Sequence, residues 1–463
     1  MKKIIILIIL FYVLGFSLIK AQDSTLNVQN NLKLGGELTT DQRILLKEDN
    51  KWVWNENRLN LQLNKKNYDN YSFYSEIWLR YIDFPSINKI SDLYNKSTID
   101  PYSIELREAY LQINHFLTKN IDIKIGRQKI IWGTADKFNP TSNLNPYDLE
   151  DIFNFGNYRA SDALNLNYYI NNDFSIQGIY IPFFQAANLP IGIFSNVLNP
   201  KIITPTGTIL NNITTNVVSP EYNLAKSSKG AFKFKGNIKN VDFSLSYVWA
   251  YDCLPTLTKS IIIPVDTMGN INIMSELNYY RNHIIGADIA TSIAGIGLWA
   301  EAAAYLPEKD ITMTNNLSAL YPNMPTPVII KETILKKSEP YIKFVIGGDY
   351  HFADNSYLNV QYLHGFIHEK GKENLNDYMF IKYEKRFLRD KLIISPLAGA
   401  FIVSNWDDLK NNYSIAYLPQ ISYKPIDDIE LNMSTAIMDG KGENLFSKIK
   451  SYNMLLFKMK YYF

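Results

Sequence analysis

One cysteine stands in 463 residues. A lone thiol cannot pair within its own chain, so a disulfide-stapled extracellular scaffold is excluded. Charge of a dominant sign is missing too: 47 basic residues meet 45 acidic ones. Lys2, Lys3 and Lys20 lie in a segment expected to be removed, and without those three the balance is 44 against 45. Such a balance leaves no electrostatic footprint for nucleic acid, and no nucleic-acid partner is expected. After residue 22 no apolar run reaches the roughly 20 residues that a helix needs to span a bilayer. The chain carries neither a G-x-S-x-G elbow nor an H-E-x-x-H pair, so no enzyme is expected. What is abundant is aromatic: 32 Tyr and 24 Phe, within 46% hydrophobic residues, exclude intrinsic disorder. Length alone would suggest about three ordinary domains, but the pattern along the chain points to one.

The amino terminus has the form of an export signal. Lys2 and Lys3 make a positive start, Ile4 to Ile19 is almost unbroken apolar sequence, and Ala21 offers a small residue at a cleavage point before Gln22. The run is 16 residues, short for a transmembrane anchor, and fits a secretory signal peptide over residues 1–21. No cysteine follows the cut, which argues against a lipoprotein. An exported chain without a helical span is either soluble beyond the inner membrane or a barrel in the outer one.

Residues 22–463 read as strands in pairs. Leu455, Phe457, Met459, Tyr461 and Phe463 share one face, and Met454, Leu456, Lys458, Lys460 and Tyr462 the other. The same period of two runs through 241–250, 429–437 and 379–384, and it is the signature of strands with two different faces. Eighteen candidate strands (16–18 is the expected range) extend from 31–41 to 450–463, among them 280–290, 293–306 and 413–424. Large aromatics recur on the apolar face near strand ends, as in interfacial girdles. Connections alternate between long segments, such as 84–104, 133–159 and 185–228, and tight turns rich in Asn, Asp, Lys and Gly. A soluble sandwich gives no reason for that two-step regularity. A transmembrane up-and-down antiparallel β-barrel does, with short periplasmic turns, long outer loops and both termini on the periplasmic side. Closure of the sheet follows from physics, because hydrocarbon leaves no partner for a free backbone edge. The first strand begins about ten residues after the signal cut, so neither a TonB-type plug nor a large hatch domain is expected.

The most individual segment is Gly126-Arg127-Gln128-Lys129-Ile130-Ile131-Trp132-Gly133, followed by Asn139-Pro140, Asn145-Pro146, Tyr147 and Asp148. It resembles the "GRQ…WG…NP…D" signature of a group of poorly characterised porin-like outer-membrane barrels, related in architecture to alginate-export porins. Further matches follow in order: Ser246-Tyr247 with Asp252 and Pro255, Gly286-Ala287-Asp288, and Gly297 to Ala302. After them come Gly347-Gly348-Asp349-Tyr350, Gln361 to Phe366, and Asn376-Asp377-Tyr378. The resemblance covers most of 100–463. It implies an outer-membrane barrel in a Gram-negative cell and names no substrate. At the same level of inference, the terminal Phe463 is what the barrel insertion machinery generally reads. Expected partners are therefore that machinery, outer-membrane lipid with lipopolysaccharide, and a small-molecule solute.

In a barrel of this size the inner face is wet. Residues of lumen parity form a mixed-charge set: Glu76, Arg80, Glu108, Lys124, Lys233, Lys235, Lys382, Glu384, Arg386, Glu430, Lys458 and Lys460. Past Gly126 the apolar phase flips, so a β-bulge there is expected to turn Arg127 inward as well. The loop 133–159, with Asn139, Asn145 and Asp148, is the candidate constriction. The expected function is a porin-like channel for passive diffusion of small hydrophilic solutes across the cell outer membrane, without energy coupling. The alternatives are a surface, adhesion or assembly barrel using loops 185–228 and 307–339, or a barrel hydrolase, neither with an open pore. No cofactor is expected. His364, His368 and Glu369 fit a rim role better than a metal site, and Asp136, Asp148, Glu150 and Asp151 fit a solvated loop better than a Ca²⁺ site. Cys253 is assigned no chemistry.

Overall fold

A computed structural model describes residues 32–47, 50–67, 70–82, 90–195, 197–198 and 204–463. The expected signal peptide lies outside these residues. The eighteen wall strands, in chain order, are Leu32–Leu45, Trp52–Asn67, Tyr71–Ile82, Tyr102–Ile113, Ile121–Gln128, Ser161–Tyr169, Phe174–Ile181, Lys229–Ile238, Val241–Tyr251, Arg281–Ile293, Ile296–Pro307, Tyr341–His351, Ser356–His364, Asp377–Phe387, Leu392–Val403, the interrupted Tyr413–Tyr417 with Gln420–Tyr423, Ile429–Gly440 and Met454–Tyr462. They are numbered one to eighteen below. Each pairs antiparallel with the next, and strand one closes the ring on strand eighteen, from Glu37 opposite Tyr462 to Leu45 opposite Met454. Phe463 completes the seam: its N–H donates to Gly36 O at 3.1 Å and its own carbonyl accepts from Gly36 N at 2.9 Å. A Cβ on Gly36 would lie 2.6 Å from the Phe463 ring, so only glycine lets the terminal aromatic cross the seam.

The two rims differ as the sequence pattern requires. One carries the short turns, including Lys239-Asn240 and Ala294-Gly295, each with both residues at positive φ, the twist that a two-residue hairpin needs. That second turn lies three residues beyond Thr291, because strand ten runs on to Ile293. Pro419 interrupts strand sixteen, since proline has no N–H for the ladder. The other rim carries the long loops. Three of these fold together into a second, five-stranded sheet built from Ile209–Val218, Thr256–Pro264, Asn270–Asn278, Ile311–Asn316 and Ile329–Leu335. Its small core holds Ile262, Ile271, Ile273 and Leu317. This outer sheet is not foreseen from the sequence.

Outward side chains are apolar and open, as for Leu38, Ile285, Ile342, Met379 and Phe457. Inward ones are shielded by the loops and by one another, as for Glu301, Asp288 and Val345. The expected bulge at Gly126 is not found. Strand five keeps continuous register with both neighbours, Arg127 opposite Ala109 and Asp162. The slip occurs one strand earlier: Glu76 faces Glu108 but Ile77 faces Leu106, so Arg107 is the extra residue. It allows Arg107 and Glu108, adjacent in sequence, to serve the same side of the wall. Strand five then stops at Gln128, and the outer half of strand four loses its neighbour there. The Arg127 Nε donates to the Leu106 carbonyl at 2.9 Å on that edge, meeting part of the backbone demand that the missing strand leaves.

Candidate functional site: a loop across the lumen

The chain turns inward after Gln128. Gln128 is fully buried and its amide donates to the carbonyls of Gly126 and Ala163. Asn145 fastens the base of the loop, accepting from Ile130 N at 2.5 Å and donating to Gln128 O and Ser161 Oγ, both at 3.2 Å. The Trp132 indole N–H donates to Gln177 Oε1 at 3.0 Å.

Glu301 on strand eleven then grips the loop from across the barrel. It is buried, and it accepts from Thr134 N at 3.0 Å, Thr141 N at 2.8 Å, Thr141 Oγ1 at 2.7 Å and Asn139 Nδ2 at 3.2 Å. A carboxylate ringed by donors is a strong anchor, because hydrogen bonds to a charged acceptor exceed neutral ones. Gly133, at φ +99°, passes so close that a Cβ would lie 2.2 Å from a Glu301 oxygen. Tyr305 adds a bond to Pro140 O at 2.9 Å, Lys229 one to Leu144 O at 3.2 Å, and strand thirteen holds Asp136 through Asn359 and Gln361 at 2.8 and 3.1 Å.

The far end of the loop is held by arginines. Asp148 meets Arg107 of strand four at 2.7 Å, Glu150 meets Arg80 of strand three, and Asp151 meets Arg43 of strand one at 2.7 Å. Burial alone would raise the Asp151 carboxyl, but the Arg43 guanidinium outweighs it and holds the group down to about 2. Arg43 also pairs with Asp41 at 2.9 Å and lies over the Trp54 ring at 4.4 Å. The acidic run is therefore a clamp set against an arginine row rather than a solvated stretch.

The sequence-predicted lumen set falls on the inner parity of the wall, Arg127 excepted. Glu76 accepts from Trp78 at 2.9 Å, Glu108 from Lys129 N at 2.8 Å, and Lys124 lies over Tyr110 at 3.9 Å. Lys233 pairs with Asp288 at 3.2 Å, and Lys235 follows on the same face. Glu384 holds Lys382 at 2.6 Å and Arg386 at 3.3 Å. Glu430, Lys458 and Lys460 pair with Lys424, Asp41 and Glu37 at 3.6, 2.9 and 3.2 Å. Arg127 keeps the outward parity of Ile125, with Asp162 beside it at 3.9 Å. Asn139, Asn145 and Asp148 all lie on the inward loop and hold it in place. Sequence reasoning passed over Arg43, Glu56, Arg58 and Arg107, and met Asp288 and Glu301 only within the family-matching segments, without a role. The adjacent charges Arg107-Glu108 were a usable signal, since alternation alone cannot turn both inward.

His364 bonds Asp377 at 2.7 Å, whereas Glu369 accepts from the backbone of Phe366 and Asn376 at 2.8 and 2.9 Å. The three do not form one site, and among the described residues no cluster of metal-ligating groups occurs. Cys253 is buried, which pushes its thiol up to about 11 and leaves no reactive thiolate.

The loop divides the lumen into unlike halves. On the side of strands one to three and eighteen lies a cavity of about 120 Å³, lined by Asp41, Glu56, Arg58, Arg80 and Lys458. On the side of strands thirteen to seventeen lies a larger one, about 490 Å³, lined mainly by apolar side chains.

Residues 47–431 match the family described as "Protein of unknown function (DUF1302)". The chain belongs to that family. The porin-like resemblance read from the Gly126 segment thus holds at family level, while these comparisons do not bear on kinship with alginate-export porins. Among solved structures, OccD3 (OpdP) of Pseudomonas aeruginosa is similar at 10% identity and TM-score 0.46, over 93% of this chain and 91% of that one. OmpF of Salmonella typhi, solved in complex with daunomycin, gives 10% and 0.41, over 95% and 99%. OmpT, an outer membrane protein of Vibrio cholerae, gives 13% and 0.39, over 93% and 97%. No curated protein matches the chain. The DUF1302 protein is a closed porin-like barrel of the outer-membrane type, on the strength of its own strand pairing.

Proposed function

We propose that this DUF1302 barrel is a passive channel for small hydrophilic solutes, exported through its amino-terminal signal and resident in the outer membrane of a Gram-negative cell. The observation that carries the reading is the inner wall. Charged side chains from strands one to three and eighteen line a cavity beside the inward loop, and such rings of charge with an infolded loop set size and charge limits in pores. No step couples to energy, and no catalytic role is assigned. Outer-membrane lipid with lipopolysaccharide surrounds the apolar face, and the insertion machinery is the partner during assembly.

Planar-bilayer recording of the purified protein tests this. Stable stepwise conductance, with liposomes that swell in small sugars, is the expected result. A folded, heat-modifiable barrel that stays silent would overturn it. The five-stranded outer sheet supports a second reading, a surface-binding barrel. Removing the hairpin 256–278 would then abolish binding to its surface partner, whereas a channel keeps its conductance.

A further inference from the structure

We propose that the larger lumen cavity is a binding chamber for an amphipathic anion, a solute with an aromatic or alicyclic body and one carboxylate end. A porin lumen is normally polar, so an apolar hollow inside it needs a cause. Here the cause lies in two facing sets of residues. The inward loop presents Phe138 and Phe155. Phe138 stacks on Phe380 of strand fourteen with ring centres 4.7 Å apart and packs on Phe366 at 5.1 Å, and Phe155 meets Phe366 edge-on at 5.4 Å. Opposite them the wall carries small side chains in register: Phe380 faces Ala400, and Ala400 faces Ala416. Alanines where the aromatics stop leave the space of about 490 Å³ open. That volume suits a small ligand enclosed by apolar walls with a few polar groups.

The polar groups give the sign of the charge. Lys137 and Lys382 both line the chamber. Lys382 is matched by Glu384 at 2.6 Å. Lys137 is exposed to the lumen, and among the described residues it has no ion-pair partner. Asp136 lines the chamber as well and keeps its charge, but its carboxylate is turned to Asn359 and Gln361 at 2.8 and 3.1 Å, which leaves the Lys137 ammonium with no carboxylate in contact. An ammonium without a contacting carboxylate, at the edge of an aromatic hollow, fits a single anionic end with an apolar body behind it. The inference goes beyond the diffusion channel for hydrophilic solutes and adds a stopping point for a less hydrophilic one.

The test uses the full barrel in amphipol, titrated calorimetrically with 2-naphthaleneacetate, 2-naphthaleneethanol and acetate. The naphthaleneacetate is expected to bind at least about tenfold tighter than either comparator, as one charge-assisted bond and one ring's burial each supply that much. Lys137→Gln should lose about tenfold for the acid alone. Ala400→Leu, which fills the hollow, should weaken the acid and the alcohol together, and heat-modifiable migration confirms that each variant folds. Equal affinity for acid and alcohol, binding unchanged by Ala400→Leu, or no binding at all would each overturn the proposal. Conductance recorded on the same sample separates the two readings: binding by a silent barrel sinks the channel and keeps the chamber, and conduction without binding does the reverse.

Discussion

The two halves of the lumen solve the same packing problem with opposite chemistry. On the arginine side, strands one, three and four meet the loop through Arg43, Arg80 and Arg107 against Asp151, Glu150 and Asp148. On the aromatic side, the next stretch of the same loop, Ile152, Phe153 and Phe155, joins a cluster with Phe366, Tyr378, Met438 and Leu445. The change happens within a few residues, between Asp151 and Ile152. A single segment is thus polar toward one wall and apolar toward the other, and its position follows from satisfying both at once. Strand parity fixes which face a residue takes, but it does not fix whether that face is wet. The loop decides that, by covering one arc of the inner wall and leaving charges along the other.

The sharpest way to break the contrast is Arg43→Ala. Asp41 is 2% exposed and Asp151 pairs with the same guanidinium, so the change takes the ion pair from Asp151 and leaves Asp41 to Lys458 alone, at a cost of about 3–5 kcal/mol. Urea unfolding followed by gel migration should show the loss, and Asp151→Asn placed on top should recover part of it. If Arg43→Ala leaves the midpoint unmoved, the arginine row is not what holds this end of the loop.

Glu301→Gln tests the opposite anchor. The side-chain amide keeps one acceptor but turns an N–H₂ either toward Thr134 N and the Asn139 amide or toward Thr141 N, donors in both cases. The loss is about 1.5–3 kcal/mol, that of a hydrogen bond to a charged group. The fold survives, so the readout is the proposed conductance: single-channel current should become noisier and larger as the loop samples positions nearer the wall. Unchanged traces would mean that the arginine row alone sets the constriction.

Much of this was legible in the sequence, and the failures have physical causes. Period two reports the environment of a wall strand residue by residue, so all eighteen strands can be found, with strand ten cut short at 290 because Thr291 and Ser292 look like turn residues. The outer sheet escapes the same test. Ile261, Ile262 and Ile263 run together in one of its strands, and Ile209–Val218 mixes Asn and Thr with aliphatics, so neither shows two distinct faces. Arg127 is misplaced because the flip of apolar phase after Gly126 suggests a bulge, whereas the chain leaves the wall after Gln128 and the slip sits at Arg107 one strand away. The loop acids were found, but not their partners. Arg43 and Asp151 are 108 residues apart, and only barrel closure brings strand one beside strand eighteen and both against the loop. The aromatic chamber is invisible for the same reason, since Phe138, Phe366 and Phe380 meet only after the loop has folded in.

The smallest effect sharpens the comparison at its dry end. His368 lies in the loop after strand thirteen, with its ring 5.7 Å from Phe366. Burial, reinforced by Lys343, Lys448 and Lys370, lowers its pKa to about 4 despite the neighbouring Glu369. The imidazole is then neutral in the fold, while an unfolded chain takes up the proton near pH 6.5. The unfolded state therefore binds more protons between those limits, and stability must fall as pH drops from about 6.5 toward 4. Between pH 7 and pH 6 the change is on the order of 0.5–1 kcal/mol, below the two substitutions above. Proton NMR of the His368 Cε1–H gives the midpoint directly, with His368→Gln assigning the line. A midpoint near 4 means that the aromatic half excludes water at this rim, as the arginine half does not. A midpoint near 6.5 would mean that water reaches both halves, and that the contrast between them is one of side chains and not of solvent.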